Sequence, residues 1–85
     1  MRIDKYLKVS RLIKRRTLAK EVAEAERIYI NGKPVKPSKE VSVGDIITIY
    51  FGKKILEVRV KSLIDSTKKK DADLMYEFIS ENERE

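Results

Sequence analysis

The sequence predicts an α+β domain in which two N-terminal helices pack on a small, mostly antiparallel sheet, followed by a C-terminal helix. Three observations lead to this prediction. Apolar residues recur at helical spacing near the N-terminus, alternate with polar residues in the middle of the chain, and return to helical spacing near its end. With 85 residues the chain has the size of one small domain.

The two N-terminal helices are predicted from their apolar faces. Ile3, Tyr6 and Leu7 stand at positions i, i+3 and i+4, which places them on one face of a first helix. The face of the second helix consists of Leu18, Ala19, Val22 and Ala23. Thr17 precedes this face and is predicted to be the N-cap of the second helix.

The sheet is predicted from alternating segments that are separated by turn residues. Residues 27–30 form the first strand. Asn31-Gly32 predicts a type I′ hairpin turn, because both central residues of that turn need a positive φ. The returning strand, 33–36, contains Pro34 and is therefore expected at an edge of the sheet. Two further strands are predicted at 46–51 and 55–60.

The end of the chain, residues 67–85, is predicted to be a basic linker and an acidic helix. The apolar face of this helix consists of Leu74, Met75, Phe78 and Ile79. Residues 71–85 contain six acids and one arginine, which makes the helix acidic. Residues 1–66 would then form the main domain, with a β extension at its end.

The composition excludes several classes of site. The chain has no Cys and no His, which removes disulfides, thiolate metal sites and the usual general base. We therefore expect no catalytic activity, no metal and no cofactor. No apolar run approaches the ~18 residues of a membrane-spanning helix, and the N-terminus lacks the apolar core of a signal peptide. We expect a cytoplasmic protein that does not insert into membranes, and a monomer.

Basic residues are concentrated in the first half of the chain. Residues 1–39 carry 12 Lys and Arg against 4 Asp and Glu, a net charge of +8, whereas residues 40–85 carry a net charge of −2. This clustering is typical of a face that binds a polyanion, and we expect RNA. A solvated basic surface is the alternative, and charge alone does not exclude DNA.

Six cations of this half are the candidate phosphate contacts, because a guanidinium binds phosphate through two parallel hydrogen bonds. They are Arg2, Lys5, Arg11, Lys14, Arg15 and Arg16. Lys20 is a weaker candidate on the second helix, and Lys33 and Lys36 could extend the basic surface beside the Asn31-Gly32 turn. Arg2 and Arg16 are the strongest candidates, since each is predicted at a helix start, where backbone amides assist anion binding. Asp4 is also a candidate, with three roles open: an internal clamp on Arg or Lys, a charge at the helix N-terminus, or an acceptor for a ribose hydroxyl or base edge. Tyr6 and Tyr29 could stack on bases, but packing inside the domain is the stronger expectation.

Short motifs follow one another along residues 1–50. They are Arg2-Ile3-Asp4-Lys5-x-Leu7, Ser10-Arg11, Lys14-Arg15-Arg16-Thr17-x-Ala19, Arg27-Ile28-x-Ile30-Asn31-Gly32, Val35, Pro37-Ser38 and Gly44-Asp45-x-Ile47. In this order and spacing they resemble the S4 RNA-binding domain family, which implies the αL motif of two helices on a sheet and RNA binding through the N-terminal cations. One position departs from the family, which commonly has glycine where this chain has Glu26. A left-handed helix end there would be strained in a residue other than glycine.

The whole chain resembles the small stand-alone bacterial proteins of this family that are related to heat shock protein 15, most closely those of ribosome-associated quality control. That resemblance implies binding to the large ribosomal subunit, through 23S rRNA and tRNA or peptidyl-tRNA, during rescue of a stalled nascent chain. It also implies a partner, a tailing factor of the RqcH type that adds alanines to the stalled chain. Two alternatives stay open: a structural or assembly role in ribosomes, and an accessory subunit of an RNA-modifying enzyme.

Overall fold

The computed structural model describes residues 1–65 and 68–83 as three helices and a five-stranded sheet. The helices are α1 (Ile3–Val9), α2 (Arg16–Glu24) and α3 (Lys69–Ala72). The strands are β1 (Ile28–Ile30), β2 (Lys33–Pro34), β3 (Ile46–Phe51), β4 (Lys54–Val60) and β5 (Tyr76–Glu83). None of the described helices is long and apolar enough to cross a membrane. The predicted boundary between residues 66 and 67 lies outside the described residues.

The sheet is antiparallel throughout and packs one face against the helices. Its strand order is β2-β1-β3-β4-β5, so β2 and β5 are the edges. The register pairs Ile30 with Ile47 and Ile47 with Val58, which continues one buried stripe across three strands. The helices contribute to the same core with Ile3, Tyr6, Leu7, Ala19 and Ala23. The predicted α+β class, with two N-terminal helices on an antiparallel sheet, is confirmed.

The predicted C-terminal helix is wrong. α3 ends at Ala72, and the residues expected on a helical face lie in the following turn and in β5. An apolar pattern over only six residues is compatible with either a helical turn or a strand. Tertiary structure favours the strand, because β5 pairs with β4 from Lys54–Glu83 to Val60–Tyr76, apart from one register shift, and these bonds satisfy the backbone groups on the side of β5 that faces β4.

The predicted turn between β1 and β2 is confirmed. Asn31 and Gly32 have φ values of 51° and 84°, as a type I′ turn requires. The Asn31 side chain also bonds to the start of β3: its Oδ1 accepts the N–H of Ile46 at 2.9 Å, and its Nδ2 donates to Asp45 Oδ1 at 3.2 Å. Asn31 therefore shapes the turn and fastens the hairpin to the central strand.

Helix α2 ends in a left-handed residue that is not glycine. Glu26 has a φ of 60°, its N–H donates to the carbonyl oxygen of Ala23 at 3.0 Å, and the N–H of Arg27 donates to that of Val22 at 3.1 Å. These two bonds form a Schellman motif. The expected left-handed helix end is present, and Glu26 bears a steric strain that glycine would avoid.

One carbonyl group ties the C-terminal segment to α1. The buried hydroxyl of Tyr6 donates to Met75 O at 2.7 Å, and the backbone N–H groups of Lys61 and Ser62 donate to the same oxygen at 2.8 and 3.2 Å. Burial, and to a lesser extent Tyr76, raises the pKa of Tyr6 well above its usual value, so the hydroxyl keeps the proton that it donates. The end of β4, the start of β5 and α1 therefore form one packed unit.

Candidate nucleic-acid interface

A buried carboxylate holds two arginines at the surface of the helical layer. Asp4 is only 2% exposed. Its Oδ1 and Oδ2 accept hydrogen bonds from Arg2 Nε and Nη2 at 3.2 and 3.0 Å. Oδ1 also accepts from Arg16 Nη2 at 3.4 Å and from the N–H of Lys5 at 2.8 Å. Of the three roles left open for Asp4, the structure shows the internal clamp.

Both guanidinium groups remain accessible to a ligand. The side chains of Arg2 and Arg16 are 45% and 47% exposed, although the Asp4 carboxylate between them is buried. A guanidinium carries five N–H donors in one plane, and Asp4 uses two donors of Arg2 and one of Arg16. The other donors are held in a fixed plane, which suits bidentate binding of phosphate.

The start of α2 adds backbone donors beside these side chains. The helix begins at Arg16, and its N-cap Arg15 makes no side-chain cap hydrogen bond, so the prediction of Thr17 as N-cap is wrong. The N–H of Ala19 bonds to the carbonyl oxygen of Arg15 at 3.0 Å, and the three N–H groups before it have no intrahelical acceptor. A depression of about 280 Å³ is lined by Arg2, Asp4, Arg16, Thr17 and Lys20.

The start of α1 lacks such free donors. The N–H of Ile3 donates to Lys39 O at 2.8 Å, and the N–H of Asp4 donates to Pro37 O at 3.3 Å. The next N–H donates to the Asp4 side chain. The expectation that backbone amides assist Arg2 is therefore wrong, and Arg2 can reach an anion only through its side chain.

The other N-terminal candidates do not line the depression. Lys5 Nζ pairs with Asp65 at 2.7 Å. Arg11 follows the end of α1 in a left-handed conformation, with φ 63°. Lys14 and Arg15 are exposed in the connection between the helices. These four cations lie outside the depression, which contains the three residues that we call the arginine cluster: Arg2, Asp4 and Arg16.

Lys33 and Lys36 lie in a groove that is separate from the depression at Arg2 and Arg16. They line a groove of about 660 Å³ together with Lys39. The two carboxylates of that groove already have partners, since Glu40 binds the N-terminal ammonium at 2.8 Å and Asp45 accepts a backbone N–H at 2.9 Å. Sequence analysis misses Lys39, whose three-residue spacing after Lys33 and Lys36 is the signal that could have found it.

The two candidate stacking tyrosines lie on different sides of the sheet. Tyr6 is 0% exposed, which confirms the core-packing expectation. Tyr29 is half-buried between the core residues Ile28 and Ile30 of β1, so its side chain is on the face of the sheet away from the core. There its ring meets Tyr50 edge to face, with the centroids 5.3 Å apart.

The arginine cluster provides cations and backbone donors for an anion. Its only acid, Asp4, is occupied by hydrogen bonds from both arginines and from the backbone. Across residues 1–65 and 68–83, no three His, Cys, Asp or Glu side chains are placed to hold a metal ion. The fold and the site therefore define a small two-layer α+β domain in which a buried carboxylate holds two half-exposed arginines at the surface.

The chain belongs to the S4 domain family, whose model matches residues 1–47. It is 59% identical over 81 residues to the RQC P-site tRNA stabilizing factor of Streptococcus pneumoniae, an alignment that covers 95% of this chain and 92% of the relative. The factor of the same name from Bacillus subtilis is 57% identical over 81 residues, covering 95% and 94% of the two chains. Among solved structures, trimeric heat shock protein 15 of Vibrio cholerae matches with a TM-score of 0.86 and 30% identity, covering 94% of this chain and 82% of that one.

Proposed function

We propose that this protein is a non-catalytic RNA-binding factor and that its main contact is the arginine cluster formed by Arg2, Asp4 and Arg16. The observation that carries the proposal is the buried carboxylate between two half-exposed guanidiniums. A carboxylate taken out of water is destabilising unless it is paired. A basic face that served only solubility would need no such acid, whereas a face that must present two guanidiniums in fixed positions does.

RNA would bind this face through its phosphates and its shape. Arg2 and Arg16 offer planar donors, Lys20 lies one helical turn after Arg16, and the start of α2 offers free N–H groups. Contacts of this kind do not read base sequence and weaken as salt concentration rises. Selectivity would then come from the shape of folded RNA.

The names of the relatives support a more specific role. Two relatives that are 57% and 59% identical over 95% of the chain are called RQC P-site tRNA stabilizing factors. We propose that the protein acts in the cytoplasm, as a monomer, on large ribosomal subunits, where it contacts 23S rRNA and peptidyl-tRNA; the relatives' names support the tRNA contact. It would stabilise the tRNA while an RqcH-type factor adds alanines to the stalled chain.

Affinity purification of the tagged protein from cells with stalled translation tests this role. We expect the wild type to recover large subunits that carry peptidyl-tRNA, and Arg2→Ala and Arg16→Ala to recover at least fivefold less. Lys53→Ala is the matched control, because it removes one exposed cation from the β3–β4 turn, away from the cluster. Loss of recovery in all three variants would point to net charge alone.

Other outcomes separate the proposal from its alternatives. Equal recovery of all ribosomes, with no enrichment of obstructed large subunits, would refute the rescue role and favour a structural one. Recovery of an RNA-modifying enzyme in place of ribosomes would favour the accessory role. Full recovery by both arginine variants would refute the assigned surface.

A further inference from the structure

Strand β5 is an edge strand with one unpaired side. It runs over eight residues, Tyr76–Glu83, and pairs only with β4. Alternate residues therefore present backbone N–H and C=O groups away from the sheet. Proteins commonly protect such edges with lysine, proline or very short strands. The opposite edge, β2, has two residues and contains Pro34, whereas β5 has neither lysine nor proline.

Large apolar side chains are exposed along this edge. Leu74, Phe78 and Ile79 are 55%, 57% and 40% exposed, and they account for three of the five exposed large apolar residues in the described chain. Phe78 lies opposite the buried Val58, so its ring is on the core side of the sheet but outside the cover of the helices. Ile79 has no partner residue on β4, because the register shifts there.

The charge of this edge is opposite to that of the N-terminal face. Strand β5 contains three acids, Glu77, Glu81 and Glu83, and no Lys or Arg. Glu77 and Glu81 meet Arg59 and Lys54 of β4 at 3.7 and 3.6 Å, and exposed pairs of this kind interact weakly. Within the described residues, Glu83 has no ion-pair partner.

The negative charge of the β5 edge indicates which kind of molecule could bind there. RNA would meet a row of carboxylates. A second β5 strand would place its glutamates against those of the first, and like charges facing each other across strands are destabilising. A cationic, extended protein segment would meet opposite charge, apolar side chains and unpaired backbone groups together.

We propose that the β5 edge binds a cationic, extended segment of another protein as a sixth strand. Backbone hydrogen bonds to β5 provide the attachment, apolar side chains of the segment cover Phe78 and Ile79, and its lysines or arginines lie near Glu77, Glu81 and Glu83. This surface is separate from the arginine cluster. The proposal therefore stands or falls independently of RNA binding.

Isotope-edited NMR of the full chain with defined peptides tests the proposal. The probe is an octapeptide of alternating Lys and Val, compared with the same peptide carrying Glu in place of Lys, and with a version N-methylated at alternate backbone positions. We expect the Lys peptide to shift the β5 amide resonances and protect them from hydrogen exchange. The Glu peptide should bind at least about tenfold more weakly, and the N-methylated peptide should give no β5 protection.

Two variants locate the contact. Phe78→Ser should weaken binding of the Lys peptide about fivefold or more. Val43→Ser changes another exposed apolar residue, 62% exposed in the turn before β3, and should leave binding unchanged. Thermal unfolding checks that both variants fold.

Three results would overturn the proposal. The first is equal binding of the Lys and Glu peptides, and the second is the absence of shifts in β5. The third is a concentration-dependent dimer in sedimentation that Phe78→Ser abolishes, which would make a second copy of this chain the occupant.

Discussion

Replacing Asp4 by Asn tests whether the arginine cluster works by position or by charge. The side chain keeps its size and loses its negative charge, so Arg2 and Arg16 lose the charge-assisted bonds at 3.0–3.4 Å that hold them. If RNA affinity depended only on net charge, removing an acid from a basic face would tighten binding. If the fixed guanidiniums matter, binding should weaken although the protein becomes more positive.

The expected loss of RNA affinity follows from the side-chain conformational freedom that Arg2 and Arg16 regain when Asp4 no longer holds them. Re-immobilising a long side chain on binding costs about 0.5–1.5 kcal/mol, so two arginines give about 1–3 kcal/mol. Because both side chains are already half exposed, we take the lower part of this range. We expect Asp4→Asn to weaken binding of folded RNA about tenfold, since 1.4 kcal/mol corresponds to a factor of about ten.

Fluorescence anisotropy with a labelled RNA hairpin, titrated at several salt concentrations, measures this effect. Circular dichroism checks the fold. Asp65→Asn is the matched control, because it makes the same change at an exposed carboxylate that pairs with Lys5. This variant should bind RNA as tightly as wild type or more tightly. If Asp4→Asn also binds as tightly as wild type, the positioning argument is refuted.

Two further predictions concern stability. Glu26→Gly should stabilise the protein by about 1 kcal/mol, because glycine adopts the φ of 60° without strain, and the midpoint of thermal unfolding should rise by about 4–8 °C. The control, Glu21→Gly inside α2, should destabilise the protein by about 1 kcal/mol. A lower unfolding midpoint in both variants would contradict the reasoning. Tyr6→Phe should cost about 1 kcal/mol at neutral pH, because it removes the bond to Met75 O. Since burial raises the pKa of Tyr6, the stabilisation by its protonated hydroxyl is fully present below about pH 10 and is lost as the pH rises further. The free energy of unfolding in urea should therefore fall less at alkaline pH in Tyr6→Phe than in wild type. Identical pH profiles of the two proteins would contradict this prediction.

Two predictions with a local physical cause are confirmed. Positive φ at Asn31 and Gly32 follows from the two residue types, and the alternation of β4 follows from its buried valines. A third, Thr17 as N-cap, is wrong because α2 already begins at Arg16, one residue before Thr17. Arg2 and Arg16 both lie at helix starts, as predicted, but only the start of α2 has N–H groups without an acceptor in the helix or a neighbouring loop. At the start of α1, the N–H groups of Ile3 and Asp4 donate to carbonyl oxygens of the loop at residues 37–39. This contact joins segments distant in sequence, so no local pattern predicts it.

The C-terminal strand, the clamp on Asp4 and the place of Lys39 escape prediction for one reason, which is that partners distant in sequence decide the local structure. Residues 74–79 have an apolar pattern that suits a helix, but the free edge of β4 makes them a turn and a strand. The clamp on Asp4 was one of three open roles, because the meeting of Arg2 and Arg16 depends on how α1 and α2 pack. Lys39 joins the lysine groove only when the loop after β2 is folded.

The hydrogen bond between Tyr6 and Met75 shows that the folded core extends beyond the sequence motif that defines the family. The family model ends at residue 47, yet Val58, Val60 and Met75 belong to the same buried core as α1. A transplant of residues 1–47 into another protein would leave the Tyr6 hydroxyl without its acceptor and one side of the core uncovered. A protein that receives residues 1–47 would therefore have to supply an equivalent of β4 and of the Met75 carbonyl to restore the stability of the motif.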